Sequence, residues 1–538
     1  MCGIFAAIVN TNTDIDVEKV VKLLDHRGPD SHNSIVIPAG NQKVVLVHTR
    51  LRIVGDNSTQ PLSDTTVYLV INGEIFNWRE LQTELDYTCT KSDCEILIPL
   101  YHRYKDDLET FFNKLDGQFA FVLFDTQRNH ILVGRDHIGV CPLYSGYSKN
   151  DVFYASEMKA ILPFTEKVAI FNPRSFVYNN IRGHFYPEQT YLNFEKYLEH
   201  PEQPEPILKA RTKINDLLGR SVEKQLRDLL VQDAPDFGVL LSGGLDSSLI
   251  ASLVTAKIKV KTFSIGISKN AADLVAARRV AKYLGTEHHE YTFTIEEGIA
   301  AIQDVIYYTE TFDTTTIRAG TAMYLLTKKI KQDYPDLKVL FSGELSDELL
   351  CYLYGANAPS YTDYQRETIN LVNNVHQFDC LRANKTCMAN SIEVRVPFTD
   401  RNFVEYILSL DATLKAFGKL NPQNMEKQIL RDSFVGYLPN DILYRKKEQF
   451  SDGVSEFAST DRNKVSEFAG NDNKNWITEL QAHCKAIYNC ETPEKMYFKA
   501  IFTNLFGAKA QSTVKYWEPK WSGTSDPSAR VYAENQFA

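Results

Sequence analysis

At 538 residues the chain is too long for one hydrophobic core, and 43% hydrophobic with 24% charged side chains is an ordinary globular composition that argues against disorder. A formal net charge of −9, with 59 Lys plus Arg against 68 Asp plus Glu, argues against a nucleic-acid or anionic-membrane footprint. No apolar run reaches the roughly 18 residues of a membrane span, and nine cysteines without C-x2-C spacing read as reduced thiols rather than disulfides or a zinc site, so the expected compartment is the cytoplasm.

The chain opens "MCGIFAAIV". Removal of the first methionine would leave Cys2 carrying a thiol and a free amine in one residue. "KVVLVHTRLRIV", "TTVYLVING", "GQFAFVLFD", "NHILVGRD" and "VFYASE" then follow as strands rich in valine, isoleucine and aromatics. Helical periodicity shows at 17–25 and about 94–105. This texture predicts an α+β unit over 2–196, with layers of mostly antiparallel sheet covered by a few helices.

Residues 197–211, "YLEHPEQPEPILKAR", carry three prolines among acidic and amide side chains and read as a join. After it, apolar strands alternate with helices: "FGVLLSGG", "LDSSLIASLVTAK", "VKTFSIGI", "DLVAARRVAKYLG" and "LKVLFSGELSDEL". Such alternation predicts an α/β unit over 207–508 with a parallel, doubly wound sheet, and ligands in such sheets bind at the carboxyl ends of the strands. Residues 509–538 are polar and irregular and read as a tail.

"LLSGGLDSS" (240–248) delivers a Ser-Gly-Gly turn from a strand to a helix N-terminus, where unpaired N–H groups and the helix dipole favour an anion. It lacks the spacing and the lysine of a Walker A loop. Asp246 would repel a phosphate unless a Mg²⁺ ion bridged them. "LFSGELSDE" (340–348) repeats the strand-to-Ser-Gly pattern and adds Glu344, Asp347 and Glu348. Asp246 and Asp347 at neighbouring strand ends would share one Mg²⁺ on a pyrophosphate.

This pair of turns resembles the ATP-pyrophosphatase (PP-loop) family. "SGGLDSS", "ETFDTTTIRAGT", "SGELSDE", "FDCLRANK", "VRVPFTD" and "RKKEQFSDGV" fall in the order found in glutamine-hydrolysing asparagine synthetases. "MCGIF", "DHRGPD", "RLRIV", "NGEIFN", "SDCE" and "GRDHIGVCPLY" match the same enzymes. The resemblance implies an N-terminal-nucleophile (Ntn) hydrolase sandwich, a class II glutamine amidotransferase, joined to an ATP-dependent synthetase.

In that reading Cys2 attacks the side-chain amide of glutamine and its own α-amine relays the proton; His26 reads as structural. Arg50 can grip the glutamine carboxylate, beside backbone groups of a strand through Leu51, Arg52, Ile53 and Val54. Glu74 and Asp93 suit its ammonium group, and Asn72 with the Gly73 N–H would form the oxyanion hole. In the second half, Ser242, Gly243, Gly244 and Ser247 would cradle pyrophosphate, with Asp246 and Asp347 on Mg²⁺. Leu240, Ile265, Ser342 and Gly343 would line the nucleotide pocket. Lys447 would neutralise charge on the phosphates, and its neighbour Lys446 could do the same. Glu344 would serve adenylate formation or take a proton from attacking ammonia. Thr315, Thr316, Arg318, Asp379 and Arg382 are the implied partners of aspartate. The family also suggests a homodimer.

The chain departs from the family pattern at Leu345, where glycine is usual, and at Cys351, which replaces a Gly-Gly pair with one residue fewer. Gly320 and Ala322 stand where serine and proline are familiar. A left-handed Leu345 would cost on the order of 1–2 kcal/mol, and its side chain could intrude on the pyrophosphate. Two alternatives to asparagine synthesis follow: a ligase acting on another carboxylate, or a glutaminase or scaffold that has lost its ATP chemistry.

Overall fold

The computed structural model describes residues 1–55, 60–90, 92–149, 151–181, 187–199, 204–231, 234–445, 475–488, 490 and 492–523. The first half holds two six-stranded antiparallel sheets. One is ordered Lys167–Ile170, Tyr144–Ser148, Asp151–Ala155, Gly3–Asn10, Gln42–Arg50, Ser31–Ala39. The other is ordered Gln189–Thr190, Ser175–Asn180, His130–Arg135, Gly117–Asp125, Val67–Ile75, Leu62–Ser63. Gly3–Asn10 is buried at every position but the last and Gly117–Asp125 at all of them, so the central strands are covered on both faces. That requirement explains their near-continuous apolar sequence. Short helices, among them Val17–Leu24 and Leu97–Tyr104, lie on the sheets as expected, and Trp78–Leu85 and Leu108–Lys114 add to them.

The expected strand through Val54 ends at Arg50 instead. Beyond Arg50 the backbone leaves the ladder: the Arg52 N–H donates to Asp30 Oδ2 at 2.6 Å, and the Leu51 carbonyl accepts from the Cys2 thiol at 3.8 Å. A carboxylate and a thiol have taken the groups a neighbouring strand would need, so residues 51–54 are loop.

The second half is built on a five-stranded parallel sheet ordered Glu287–Thr292, Lys261–Gly266, Asp236–Leu240, Leu337–Phe341, Glu393–Arg395. The chain starts in the middle, runs to one edge and returns to fill the other, so its order reverses beside Asp236–Leu240. In open α/β sheets that reversal opens a crevice at the strands' carboxyl ends. The helix Leu245–Thr255 follows the central strand directly, and Thr314–Asp333 and Asp379–Met388 pack together near the same end. No helix among the described residues is long and apolar enough to cross a membrane.

Residues 509–523, expected as part of a polar tail, pack back onto both halves: Lys509 donates to the Leu162 and Thr165 carbonyls of the first at 2.7 and 2.6 Å, and the stretch around Trp517 lies on the second. The Trp517 N–H donates to Asp313 Oδ1 at 2.7 Å, and its ring lies 5.0 Å from that of Tyr352 and 5.6 Å from that of Phe378. Two tryptophans and a tyrosine in a short polar stretch supply the apolar surface that docks it.

The halves meet through buried and half-buried polar contacts. Gln118 donates to Thr399 Oγ1 at 3.1 Å, Lys224 pairs with both Asp116 and Asp400, and Arg174 donates to Asn373 Oδ1 at 2.9 Å.

Candidate functional sites in both halves

Cys2 stands at the head of strand Gly3–Asn10, and Asn72, Gly73 and Glu74 lie on strand Val67–Ile75 of the facing sheet. The Cys2 backbone N–H donates to Asn72 Oδ1 at 2.8 Å, joining the sheets at this point. That bond fixes the amide's orientation and turns its Nδ2 away, where it has no hydrogen-bond partner among the described residues. A fully buried donor left open beside a nucleophile is a group waiting for an acceptor. Gly73 adopts φ +142°, and a Cβ there would sit 2.0 Å from the Gln118 carbonyl oxygen, so only glycine can pass. Burial pushes the Cys2 thiol above its ordinary range, although the N-terminal ammonium beside it pulls the other way.

Arg50, at the end of its strand, is buried and directs Nη2 towards the carbonyls of Val54 and Gly55 at 3.5 and 3.4 Å. Asp93 accepts from the Ile75 N–H at 2.8 Å. Burial lifts the Asp93 carboxyl to about 6 against that bond, and burial followed by Asp93 and Glu393 lifts Glu74 well above the carboxylate range. Two buried acids raised in this way are short of positive charge. Arg395 of the second half reaches Glu74 Oε2 only at 3.7 Å. Of the loop 51–54, Leu51 touches the thiol and Arg52 points to solvent. His26 lies 3.8 Å from Glu157 and edge-on to Tyr308, and burial lowers it to about 4.

Met1 is almost fully buried. Its ammonium pairs with Glu393 of the second half, and Asn384 Nδ2 donates to its sulfur at 2.8 Å. Burial opposes the ammonium charge, but Glu393 more than offsets this and holds its pKa at about 10.

In the second half a cavity of about 160 Å³ opens where the sheet order reverses. The two Ser-Gly turns meet there. A Cβ on Gly343 would lie 2.7 Å from the Ser247 N and 2.8 Å from the Asp246 carbonyl carbon, so glycine lets one turn rest on the other. Ser247 Oγ lies 3.0 Å from Ser242 Oγ and accepts from the Ser242 N–H at 3.2 Å. Leu240, Ser242, Gly244, Asp246, Ser247, Ile265, Ser342 and Gly343 all reach the cavity wall, whereas Gly243 stands behind it. Lys446 and Lys447 lie outside the described residues.

Asp246 and Asp347 converge as their positions at neighbouring strand ends suggested. Between them stands the buried ammonium of Lys427, 2.7 Å from Asp246 Oδ2 and 2.8 Å from Asp347 Oδ1. Sequence reasoning missed Lys427, which lies in "QNMEKQILRD" 80 residues after Asp347, with no local pattern to mark it. It holds a left-handed backbone at φ 57°. Arg445, Asp273, Tyr352 and Trp517 also line the cavity unpredicted.

Glu344 accepts from Arg382 at 2.8 Å, and Arg382 also pairs with Asp379. The Tyr352 hydroxyl lies 2.8 Å from Asp379 Oδ2 and 2.9 Å from Glu348 Oε1. Burial, then Asp379, Asp347 and Glu344, pushes Glu348 well above the carboxylate range. Thr316 donates to Asp313 Oδ2 through its N–H and its hydroxyl, both at 2.8 Å. The buried Thr315 hydroxyl on the cavity wall has no partner among the described residues. Arg318 is not brought to the cavity; its guanidinium grips both oxygens of Glu494, at 2.9 and 2.5 Å.

Leu345 is left-handed, with φ 77° and ψ −17°, and Cys351 has φ 62°. The Leu345 side chain is 1% exposed and belongs to the hydrophobic core, while its neighbours Glu344 and Asp347 form the cavity wall. The departure therefore strains the backbone without filling the site.

Comparison with known proteins identifies the family of each half. A family described as a glutamine amidotransferase domain matches residues 1–193, and one described as asparagine synthase matches 213–361 and 353–525. The chain is 37% identical over 584 residues to a probable glutamine-hydrolysing asparagine synthetase of Schizosaccharomyces pombe, covering 99% of each. It is 38% identical over 595 residues to asparagine synthetase 1 of Saccharomyces cerevisiae, again covering 99% of each. Among solved structures, the glutamine phosphoribosylpyrophosphate amidotransferase of B. subtilis shares 16% identity at a TM-score of 0.31, covering 54% of this chain and 81% of that one. The chain belongs to the family of glutamine-hydrolysing asparagine synthetases.

Proposed function

We propose that this protein makes L-asparagine from L-aspartate, drawing nitrogen from L-glutamine and energy from ATP, with AMP and pyrophosphate as products. The observation that carries the reading is the meeting of two Ser-Gly turns at the sheet's point of reversal, each bringing one carboxylate to a shared cation. A glutaminase alone has no use for such a site.

In the first half the Cys2 sulfur attacks the glutamine side-chain carbonyl carbon, and Asn72 Nδ2 with the Gly73 N–H receives the oxyanion. Ammonia departs with a proton and water then cleaves the thioester to glutamate. Arg50 binds the substrate carboxylate, and Glu74 and Asp93 bind its ammonium. A free amine on Cys2 requires that Met1 be lost, and the amine then sits beside Asn72 as the proton relay.

In the second half the turn Ser242–Ser247 binds the phosphates, and Lys447 together with Lys427 offsets their charge. The aspartate β-carboxylate attacks the α-phosphorus, pyrophosphate leaves, and ammonia displaces AMP from the resulting β-aspartyl-AMP. Thr315, Thr316, Asp379 and Arg382 bind aspartate; Arg318, committed to Glu494, supports their helix. Glu344, held by Arg382, takes the proton from the attacking ammonia.

Asp246 and Asp347 both hold the Lys427 ammonium, so they are close enough to share one small cation, which would displace that ammonium towards the phosphates. That donor set suits Mg²⁺, which takes one or two carboxylates and completes its shell with phosphate oxygens and water. Bound there with ATP, the ion would neutralise charge on the phosphates. Our reading further places the protein in the cytoplasm as a homodimer, without nucleic-acid or membrane partners.

The test is product analysis with aspartate, Mg-ATP and either glutamine or ammonium, beside Cys2→Ala. Asparagine, AMP and pyrophosphate should form with both donors, and the variant should keep only the ammonium reaction. Glutamate without AMP would leave a glutaminase or scaffold.

A further inference from the structure

The helix Asp379–Met388 touches both sites within one turn. Arg382 binds Glu344 at the cavity. Two and three residues further on, Asn384 and Lys385 reach the first half. Asn384 Oδ1 accepts from Arg27 Nη2 at 3.1 Å, and Arg27 Nε donates to the carbonyl of Cys2 itself at 3.0 Å. Lys385 lies 3.3 Å from Glu157 of the first half and pairs with Glu310 of the second. Glu157 in turn binds Arg27 at 2.7 Å and Lys159 at 2.6 Å. Glu310 accepts from the backbone N–H groups of Met158 and Lys159 at 2.7 and 2.8 Å.

Arg27, Glu157, Lys159, Glu310, Asn384 and Lys385 are all buried, none more than 5% exposed. Three cations against two anions in a buried interface is an expensive way to join two halves, and well-packed apolar side chains would hold them as firmly. What directional charged bonds add is register. From Arg382 to Lys385 the helix rises only about 4.5 Å, so the carbonyl of the nucleophile and the carboxylate of Glu344 hang on one rigid turn.

We propose that Asn384 and Lys385 are positioning residues that hold Cys2 in register with the synthetase cavity, so that ammonia released at the thiol reaches the acyl-adenylate rather than solvent. The proposal rests on the reading of the protein as a glutamine-dependent asparagine synthetase.

The experiment uses the full-length protein carrying Asn384→Ala, Lys385→Arg, or the double substitution Lys385→Met with Glu310→Gln, which removes one cation and one anion together. Glutamate and asparagine are quantified with glutamine as donor, and asparagine alone with ammonium as donor. In Asn384→Ala and the double variant, glutamate formed per asparagine should rise by roughly threefold or more, the scale of a modest coupling energy. Ammonium-supported synthesis should persist, and Lys385→Arg should stay close to the parent ratio. Asn384→Ala leaves no buried charge unpaired, so it decides the matter even if the double variant fails to fold. An unchanged ratio, or a parallel fall of both reactions at constant ratio, would overturn the proposal and leave the network a structural bond. Absence of asparagine from the parent protein with either donor would instead overturn the functional reading beneath it.

Discussion

Leu345 sets packing against backbone conformation at a single residue. Its side chain is fully buried, so Leu345→Ala should lose about 2–5 kcal/mol of stability. Leu345→Gly removes still more side chain, yet it sheds the left-handed penalty of about 1–2 kcal/mol. The glycine variant should therefore have the higher thermal midpoint of the two, reversing the order seen in ordinary helices; an alanine variant that is more stable would refute the strain argument. Asp93 presents a second such conflict. A carboxyl raised to about 6 binds a proton in the folded protein that the unfolded chain has already released above its usual value near ~4. Between those values stability falls as pH rises, and it stays lower above them. Asp93→Asn should accordingly raise the thermal midpoint at pH 8 and lose that gain by pH 4, while weakening glutamine binding. In the unsubstituted protein the KM for glutamine should climb as pH drops below 6, because the acid that receives its ammonium is then neutral. Asn72→Ala should lower glutamine turnover by about 10²–10³-fold and leave ammonium-supported synthesis alone, if its open Nδ2 is an oxyanion donor.

Among the elements, the two Ser-Gly turns depend on one missing methyl. Gly343→Ala would force a Cβ against the Ser247 backbone, an overpacking of about 1–3 kcal/mol that falls on the site. AMP formation should drop at least tenfold with either donor while glutamine hydrolysis continues; equal AMP formation would show that the turns need not touch. These turns were legible because an apolar strand, a glycine pair and a helix start announce themselves locally. The central strands were legible for the same reason. The edge strand Glu287–Thr292, "EHHEYT", was not, because half its surface faces water and no apolar run marks it. Glu393–Arg395 is too short to carry a period. Lys427 and Trp517 escaped because each arrives from a distant segment and only the closed fold shows what it meets. The end of the strand at Arg50 escaped because side chains, not a turn signal, drew its backbone away.

At the scale of the whole molecule, neither half is a finished surface without the other. Unfolding the second half would strip Lys224 from Asp116 and Asn384 from Arg27, and would leave Glu157 only the cations of its own half. Stripping one partner from a buried pair costs about 3–5 kcal/mol, so the halves should melt in one calorimetric transition; two separated peaks would mean the interface is weaker than its contacts imply. The burial of Met1 also puts a deadline on its removal. Once Glu393 has closed over that residue, no peptidase can reach the bond before Cys2. Glu393 is 392 residues further along the chain, and at about 5–20 residues per second a ribosome takes roughly 20–80 s to supply it. Trimming and closure therefore run as a race, and on the mechanism proposed above a chain that loses it keeps an acylated Cys2 amine and should use ammonium but not glutamine.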